Sequence, residues 1–464
     1  MWKALYIKYK IPLLLSIIIS VLYASFAYDL ERFDFIKLIC IYTALFFLTY
    51  KLIQFNHGNF KFLLFVGILF RLVFIGALPN LSQDFYRFIW DGRLIANFIN
   101  PYLFTPNEYF LNGYNYIAQA ETLTREMGSL SAGNFSNYPP INQLIFGVAG
   151  LLSKTSILGS IIIFRIIMLA ADIGILFIGR KILLKIGKNP RHIFWYFLNP
   201  FILIELTGNL HFEGVMLFFF LASMYALIKN KWLVSAILLG ISVSVKLLPL
   251  LFLPLLFQWF VNKDKSIDWR KNFFKLSLYY GVVFTTVAIT FLPFISLELI
   301  QNYSQTIGLW FQKFEFNASV YYLFRWVGYQ LVGWNTIATL GKILPILVLI
   351  TVLALSFFRK NTSVKQLFSA MLIGSFCYFS LSTTVHPWYI ATPLLLSIFT
   401  PYRFAILWSF VAFFSYSAYT IDGFQENYVL ITIEYGVLFI FAFAEFFPTL
   451  KQKMLSQYKH FVHR

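Results

Sequence analysis

Apolar runs of about 15 to 25 residues recur from one end of this chain to the other, the length a helix needs to cross hydrocarbon. Membrane β-barrels alternate apolar and polar residues instead, whereas the runs here are continuous. With 59% hydrophobic and 12% charged residues over 464 positions, the chain has more apolar surface than a soluble core would use. The expected fold is therefore all-α, a polytopic transmembrane helical bundle forming one multi-pass unit over residues 1–464. Fourteen runs, from Ile11–Tyr28 to Tyr428–Phe447, predict about 12 to 14 spans. Several of them, such as Ile193–Leu206 and Leu247–Phe260, are short for a crossing and predict helices broken near the membrane surface. Ile11–Tyr28 follows Lys3, Lys8 and Lys10 without a small-residue cleavage site, so it reads as a retained first helix. Cys40 and Cys377 lie inside apolar runs and supply neither a disulfide framework nor metal spacing.

The formal net charge of +18 is distributed, not clustered. With the N-terminus inside, 25 of the 37 Lys and Arg fall on inside segments and 8 on outside ones, while 13 of the 19 acids fall outside. Positive charge on the inner side sets orientation and suits an anionic inner leaflet, so membrane lipids are expected partners and nucleic acid is not. Both termini are then cytoplasmic. Ile141–Leu152 is apolar, but a crossing there would carry Arg180–Arg191 outside, so it is expected to lie in the interface or re-enter. It closes a long outer loop, residues 79–156, with a second outer loop at 296–333. Loops this long in a compact protein are usually functional.

The first loop opens Asp84-Phe85-Tyr86-Arg87-Phe88-Ile89-Trp90-Asp91-Gly92-Arg93, continues through Asn100-Pro101-Tyr102, and reaches Tyr138-Pro139-Pro140. From Asp84 the pattern suits an interfacial helix with Phe85, Phe88, Ile89, Ile95 and Phe98 toward lipid and Arg87, Asp91 and Arg93 on a polar side. The plain roles are an N-cap for Asp84 and an i,i+4 ion pair for Arg87 with Asp91. Three further elements fall at outer turns: Asn209-Leu210-His211-Phe212-Glu213-Gly214, Val245-Lys246-Leu247-Leu248-Pro249 and His386-Pro387-Trp388-Tyr389. Alone, these read as a surface turn, a snorkelling Lys and an aromatic belt with a satisfied His. Five motifs on one face together point to a site.

In order and on a chain of this size, these elements resemble the GT-C superfamily of integral-membrane glycosyltransferases, in particular bacterial relatives of polyprenol-phosphate-mannose-dependent mannosyltransferases. The resemblance implies a bacterial plasma (inner) membrane protein. It implies transfer of mannose or another hexose from a polyprenyl-phosphate sugar donor to a lipid- or glycan-linked acceptor at the outer face. It makes Asp84 the catalytic general base. A Gly commonly stands just before the family's Asn-Pro-Tyr element, where this chain has Asn97-Phe98-Ile99-Asn100.

The chemistry suits the residues. A carboxylate removes the proton of an attacking acceptor hydroxyl, and cations offset the charge growing on a leaving phosphate. Lys246 is the candidate cation, with Arg87 and Arg93 as second candidates. Tyr86, Asp91, Tyr138, His211, Glu213, His386, Trp388 and Tyr389 complete the expected substrate-binding set, aromatic faces serving to stack on sugar. No cofactor is expected, and no Asp-x-Asp pair or His cluster calls for a metal. Arg71, Arg165, Asp172, Glu205 and Glu434 lie within spans, where a structural ion pair such as Arg71 with Asp172 or Glu205 is the plain reading. A flippase or transporter would show an inverted repeat and charges lining a midplane path, and neither is seen. A surface-polysaccharide polymerase or ligase would share the topology with an Arg-rich outer loop, whereas this loop is acidic overall.

Overall fold

The computed structural model describes residues 2–56, 59–111, 117–261 and 268–448. The basic residues Lys263 and Lys265, and those of the C-terminal segment from Lys451 on, lie outside the described residues. The fold is all-α as expected. β structure among the described residues amounts to a hairpin, Tyr419–Thr420 with Gly423–Phe424, and a bridge between Phe316 and Thr384.

Seven described helices are long and apolar enough to cross a membrane: Lys10–Asp29, Phe35–Phe55, Ile157–Lys185, Trp269–Phe294, Ile337–Phe357, Val364–Leu381 and Tyr428–Phe446. Their starts carry the expected chemistry. Asp34, Asn59, Ser156, Ser363 and Asn427 each accept a hydrogen bond from a backbone N–H in the first helical turn that follows. Large apolar side chains such as Ile17, Phe47, Ile289, Ile350 and Ile440 are exposed, as lipid-facing positions are.

The other expected spans fall on shorter or broken helices, for a local reason. Ile193–Leu206 is a chain of short turns, interrupted where Asn199 precedes Pro200. Its last part, Pro200–Gly208, meets the helix Glu213–Ile228 at 112°, so the two make at most one bent span. Further apolar runs fold into shorter helices: Pro140–Ser153, Trp232–Val243, Leu248–Val261, Pro387–Phe399 and Phe404–Ala418. Prolines at 249, 254 and 387 remove the N–H that a continuous helix would need.

The helix Asp84–Ala96 forms where its pattern predicts, but it is not edged toward lipid. Phe85, Phe88 and Ile89 are buried, and so are Arg87, Asp91 and Arg93; Phe98 alone of the expected lipid-facing set is exposed, at 98%. The helix Pro140–Ser153 covers it at backbone contact. A Cβ on Gly92 would overlap the Phe146 carbonyl, and one on Gly150 would overlap the Gly92 carbonyl. Only glycine allows that approach.

The departure before Asn-Pro-Tyr is absorbed at Phe98. The Phe98 N–H donates to the Ile95 carbonyl and the Ile99 N–H to the Leu94 carbonyl, both at 2.9 Å. These are the two bonds of a Schellman helix end, whose left-handed position usually holds glycine. Phe98 occupies it at φ 58°.

Within the bundle, Arg71 pairs with Asp172 at 2.8 Å, both 1% exposed, and also donates to the Gly67 and Phe197 carbonyls. Among the described residues Arg165 has no acid partner. It donates to the backbone carbonyls of Ile75, Ala77, Thr207 and Gly208, satisfying the helix break.

Candidate active site

The lead-in to Asp84 is fastened from both sides. Asn80 donates to the carbonyls of Phe26 and Leu30 at the end of the first helix, at 2.7 and 3.2 Å. The Leu81 N–H donates to the Asn209 side chain at 3.0 Å. The turn after the first helix, the Asp84 segment and the 209–213 break are thereby one assembly. Leu210, fully buried at φ 65°, takes the left-handed backbone that turns His211 and Glu213 inward. Strain of this kind is held where the surroundings over-determine it.

Lys246 arrives from another direction. Its turn is clamped to the Tyr138-Pro139-Pro140 element: the Ile141 N–H donates to the Ser244 carbonyl, and the Asn142 side chain to the Val245 carbonyl. Tyr102 of Asn-Pro-Tyr donates its hydroxyl to the Tyr138 carbonyl at 2.6 Å. These two motifs are thus parts of one loop scaffold.

Asp84 stands on the first turn of its helix and is not an N-cap. The cap position is Gln83, which makes no side-chain capping bond. Burial raises the Asp84 carboxyl above the ordinary carboxylate range, and the Lys246 and Arg32 charges oppose that rise. Lys246 donates to Glu213 and lies 5.6 Å from the centre of the Tyr389 ring. Trp388 is sandwiched between two imidazoles, His211 at 3.6 Å and His386 at 4.4 Å between ring centres. Burial, with Lys246 and Arg32 adding to it, pushes His386 down to about 3, so its ring is neutral across ordinary pH. Tyr138 packs edge-on against Phe88 and lies within the fields of Asp84 and Tyr389.

Seven expected residues are therefore gathered around Asp84: Tyr138, His211, Glu213, Lys246, His386, Trp388 and Tyr389. Four are placed otherwise. Asp91 accepts from Arg87 at 2.8 Å on one oxygen, and from Ser136 and Gln143 at 2.5 and 2.9 Å on the other. Arg87 also donates to the Ser131 and Asn134 carbonyls, and Arg93 to those of Ala118 and Thr155 and to the Gln119 side chain. These three charged side chains staple the 79–156 loop to its helix, which their burial requires. Tyr86 lies against Phe85 near the Glu126 charge, apart from the Asp84 cluster.

Four residues outside the expected set join it. Glu205, fully buried, accepts from the Tyr416 hydroxyl at 2.7 Å and lies 3.6 Å from His211 Nε2. Arg32 stacks on Tyr419 with its guanidinium carbon 3.3 Å from the ring centre. Its charge reaches Asp84, Glu205, His211 and His386. Glu205 was visible as an intramembrane acid. Arg32, Tyr416 and Tyr419 carry no motif that would single them out. Among the described residues no group of three or more His, Cys, Asp or Glu is placed to hold a metal ion.

The site thus gathers three acids (Asp84, Glu205 and Glu213), two cations (Lys246 and Arg32) and a wall of stacked rings on one all-α polytopic chain. Residues 37–262 match the family described as Alpha-(1->6)-mannopyranosyltransferase, N-terminal domain. The chain is also 20% identical over 181 residues to Alpha-(1->6)-mannopyranosyltransferase A of Mycobacterium tuberculosis (strain ATCC 25618 / H37Rv), covering 39% of this chain and 33% of that relative. The chain thus spans about a third of the length of the curated relative it matches. These similarities bear out the resemblance to GT-C-type mannosyltransferases. Asp84, His211, Glu213 and Lys246 lie inside the matched stretch, whereas Arg32, His386, Trp388 and Tyr419 lie outside it.

Proposed function

We propose that this protein is a hexosyltransferase, with mannose as the first candidate sugar, acting on a polyprenyl-phosphate donor and a lipid- or glycan-linked acceptor at the outer face of the bacterial plasma membrane. Asp84 is the general base. The observation that carries this reading is the position of the Asp84 carboxylate. It is partly buried, free of any ion pair within the described residues, and it faces Lys246 and Arg32. A carboxylate raised by burial and not committed to a partner is suited to accept a proton near working pH.

The acceptor hydroxyl oxygen attacks the anomeric carbon as the bond from that carbon to the phosphate oxygen breaks. The phosphate leaves with the bonding pair, and the hydroxyl proton passes to Asp84. Trp388, stacked on His211 and His386, stiffens this wall, and Tyr389 beside it is the ring left to offer a face to the sugar. The neutral His386 ring adds polar atoms without adding charge.

The test is to incubate the purified full-length protein with a panel of polyprenyl-phosphate hexoses and candidate acceptors, and to follow released polyprenyl phosphate. Release that depends on acceptor and on Asp84 is expected. Release from none of the panel, or release unaffected by Asp84→Asn, would overturn the reading.

A further inference from the structure

The two cations at the site are not equivalent. Lys246 is engaged with Glu213, whose side chain is 2% exposed, so much of its charge compensates a carboxylate that the fold has already buried. Arg32 makes no hydrogen bond or ion pair with any described residue, and its Nε is buried without an acceptor.

Three other charged residues around Arg32 are engaged, and Glu31 beside it is exposed. Lys37 pairs with Asp29 at 2.7 Å and also donates to the Asp29 carbonyl. Asp34 caps the second helix, accepting from the Lys37 N–H at 3.0 Å. Asn80 holds the preceding backbone against the Asp84 segment. The turn is therefore fixed, and Arg32 is the cation it presents toward the site.

The placement of the guanidinium matters as much as its charge. Its face lies on Tyr419, which uses the π surface and leaves the in-plane N–H fork unused. That fork fits two oxygens of one phosphate, a geometry that a lysine ammonium cannot offer. A buried donor with no acceptor costs free energy, and a phosphate oxygen would relieve that cost on binding.

We infer that Arg32, stacked on Tyr419, is the principal anchor of the donor's phosphate, and that Lys246 serves mainly to hold Glu213 and to bias Asp84. This assignment rests on the polyprenyl-phosphate reading of the donor. It places the phosphate at the junction of the first interhelical turn with the C-terminal hairpin, outside the stretch that matches the mannosyltransferase family.

The test measures binding of undecaprenyl phosphate and of undecaprenol to the full-length protein in detergent micelles. Wild type should prefer the phosphate. Arg32→Gln should weaken phosphate binding about tenfold or more, the loss of a charge-assisted hydrogen bond, and leave undecaprenol binding unchanged. Arg32→Lys should recover part of the loss. Lys246→Met combined with Glu213→Gln, which removes that pair as a unit, should lose less than Arg32→Gln. Lys342→Gln, an exposed charge on another helix, should bind as wild type.

Unchanged phosphate binding in Arg32→Gln would overturn the assignment, as would a larger loss in the Lys246 and Glu213 double variant. Equal loss of phosphate and alcohol would also overturn it, showing Arg32 to be structural. A wild-type protein that does not distinguish phosphate from alcohol would overturn both this assignment and the donor reading beneath it.

Discussion

Lys246 donates to the Glu213 carboxylate across thirty-three positions, joining the 244–249 turn to the first turn of the Glu213–Ile228 helix. Glu213 is buried, and the Lys246 side chain is 23% exposed. Lys246→Met should therefore leave a carboxylate stranded and cost stability, up to about 3 kcal/mol once solvent access to Lys246 is allowed for. Adding Glu213→Gln should recover most of that cost. Thermal unfolding of the two variants in detergent checks this, and a double variant no more stable than Lys246→Met would show that the pair is not energetically coupled.

Asp84→Asn should fold normally and lose about 10²–10⁴-fold in turnover, because it removes the basic oxygen and little else. Since Asp84 must be ionised to accept a proton and burial raises its carboxyl, activity should fall as pH drops through a value above the ordinary carboxylate range near 4. It should be full above that value. His386, held near 3, should add no inflection near 6.5. Asp91→Asn is the contrasting variant. Both Asp91 oxygens accept hydrogen bonds, so its main effect should be on thermal stability. An acid limb at or below the ordinary carboxylate range near 4, or normal turnover in Asp84→Asn, would count against the assigned base.

Phe98→Gly should stabilise the protein by about 1 kcal/mol, because glycine takes the left-handed backbone without a Cβ penalty and the exposed ring gives up little packing. Equilibrium unfolding checks it. A destabilised variant would mean that the ring has a lipid or substrate contact worth more than the strain.

Orientation is tested by single cysteines read with a membrane-impermeant reagent on intact cells. Asn107 and Asp422, exposed at the Asp84 face, should label from outside, and Asn230, exposed at the far end of the Glu213–Ile228 helix, should not. Reversed labelling would place the site in the cytoplasm and exclude an outer-face donor.

Local chemistry was enough for much of this protein. Runs of apolar residues longer than a bilayer core commit their backbone to helix, because hydrocarbon offers no other partner for N–H and C=O groups. The Arg87–Asp91 pair followed from i,i+4 spacing; an acid partner for Arg71 followed from the cost of an unpaired charge in a span, and packing settled it as Asp172 rather than Glu205. Hydropathy over a window cannot tell a short helix buried in protein from one facing lipid. That is why the Asp84 helix, expected at the lipid edge, lies under Pro140–Ser153 instead. Sequence alone also named seven of the residues now found around Asp84. Only the tertiary structure decided which cation pairs with Glu213 and which has no partner among the described residues. Arg32, Glu205 and the Tyr416–Tyr419 segment come from three separate parts of the chain brought together by packing, and nothing in the local sequence of Arg32, Tyr416 or Tyr419 distinguishes them. Ion pairing depends on distances of a few ångströms between segments far apart in the chain, and those distances are set by packing.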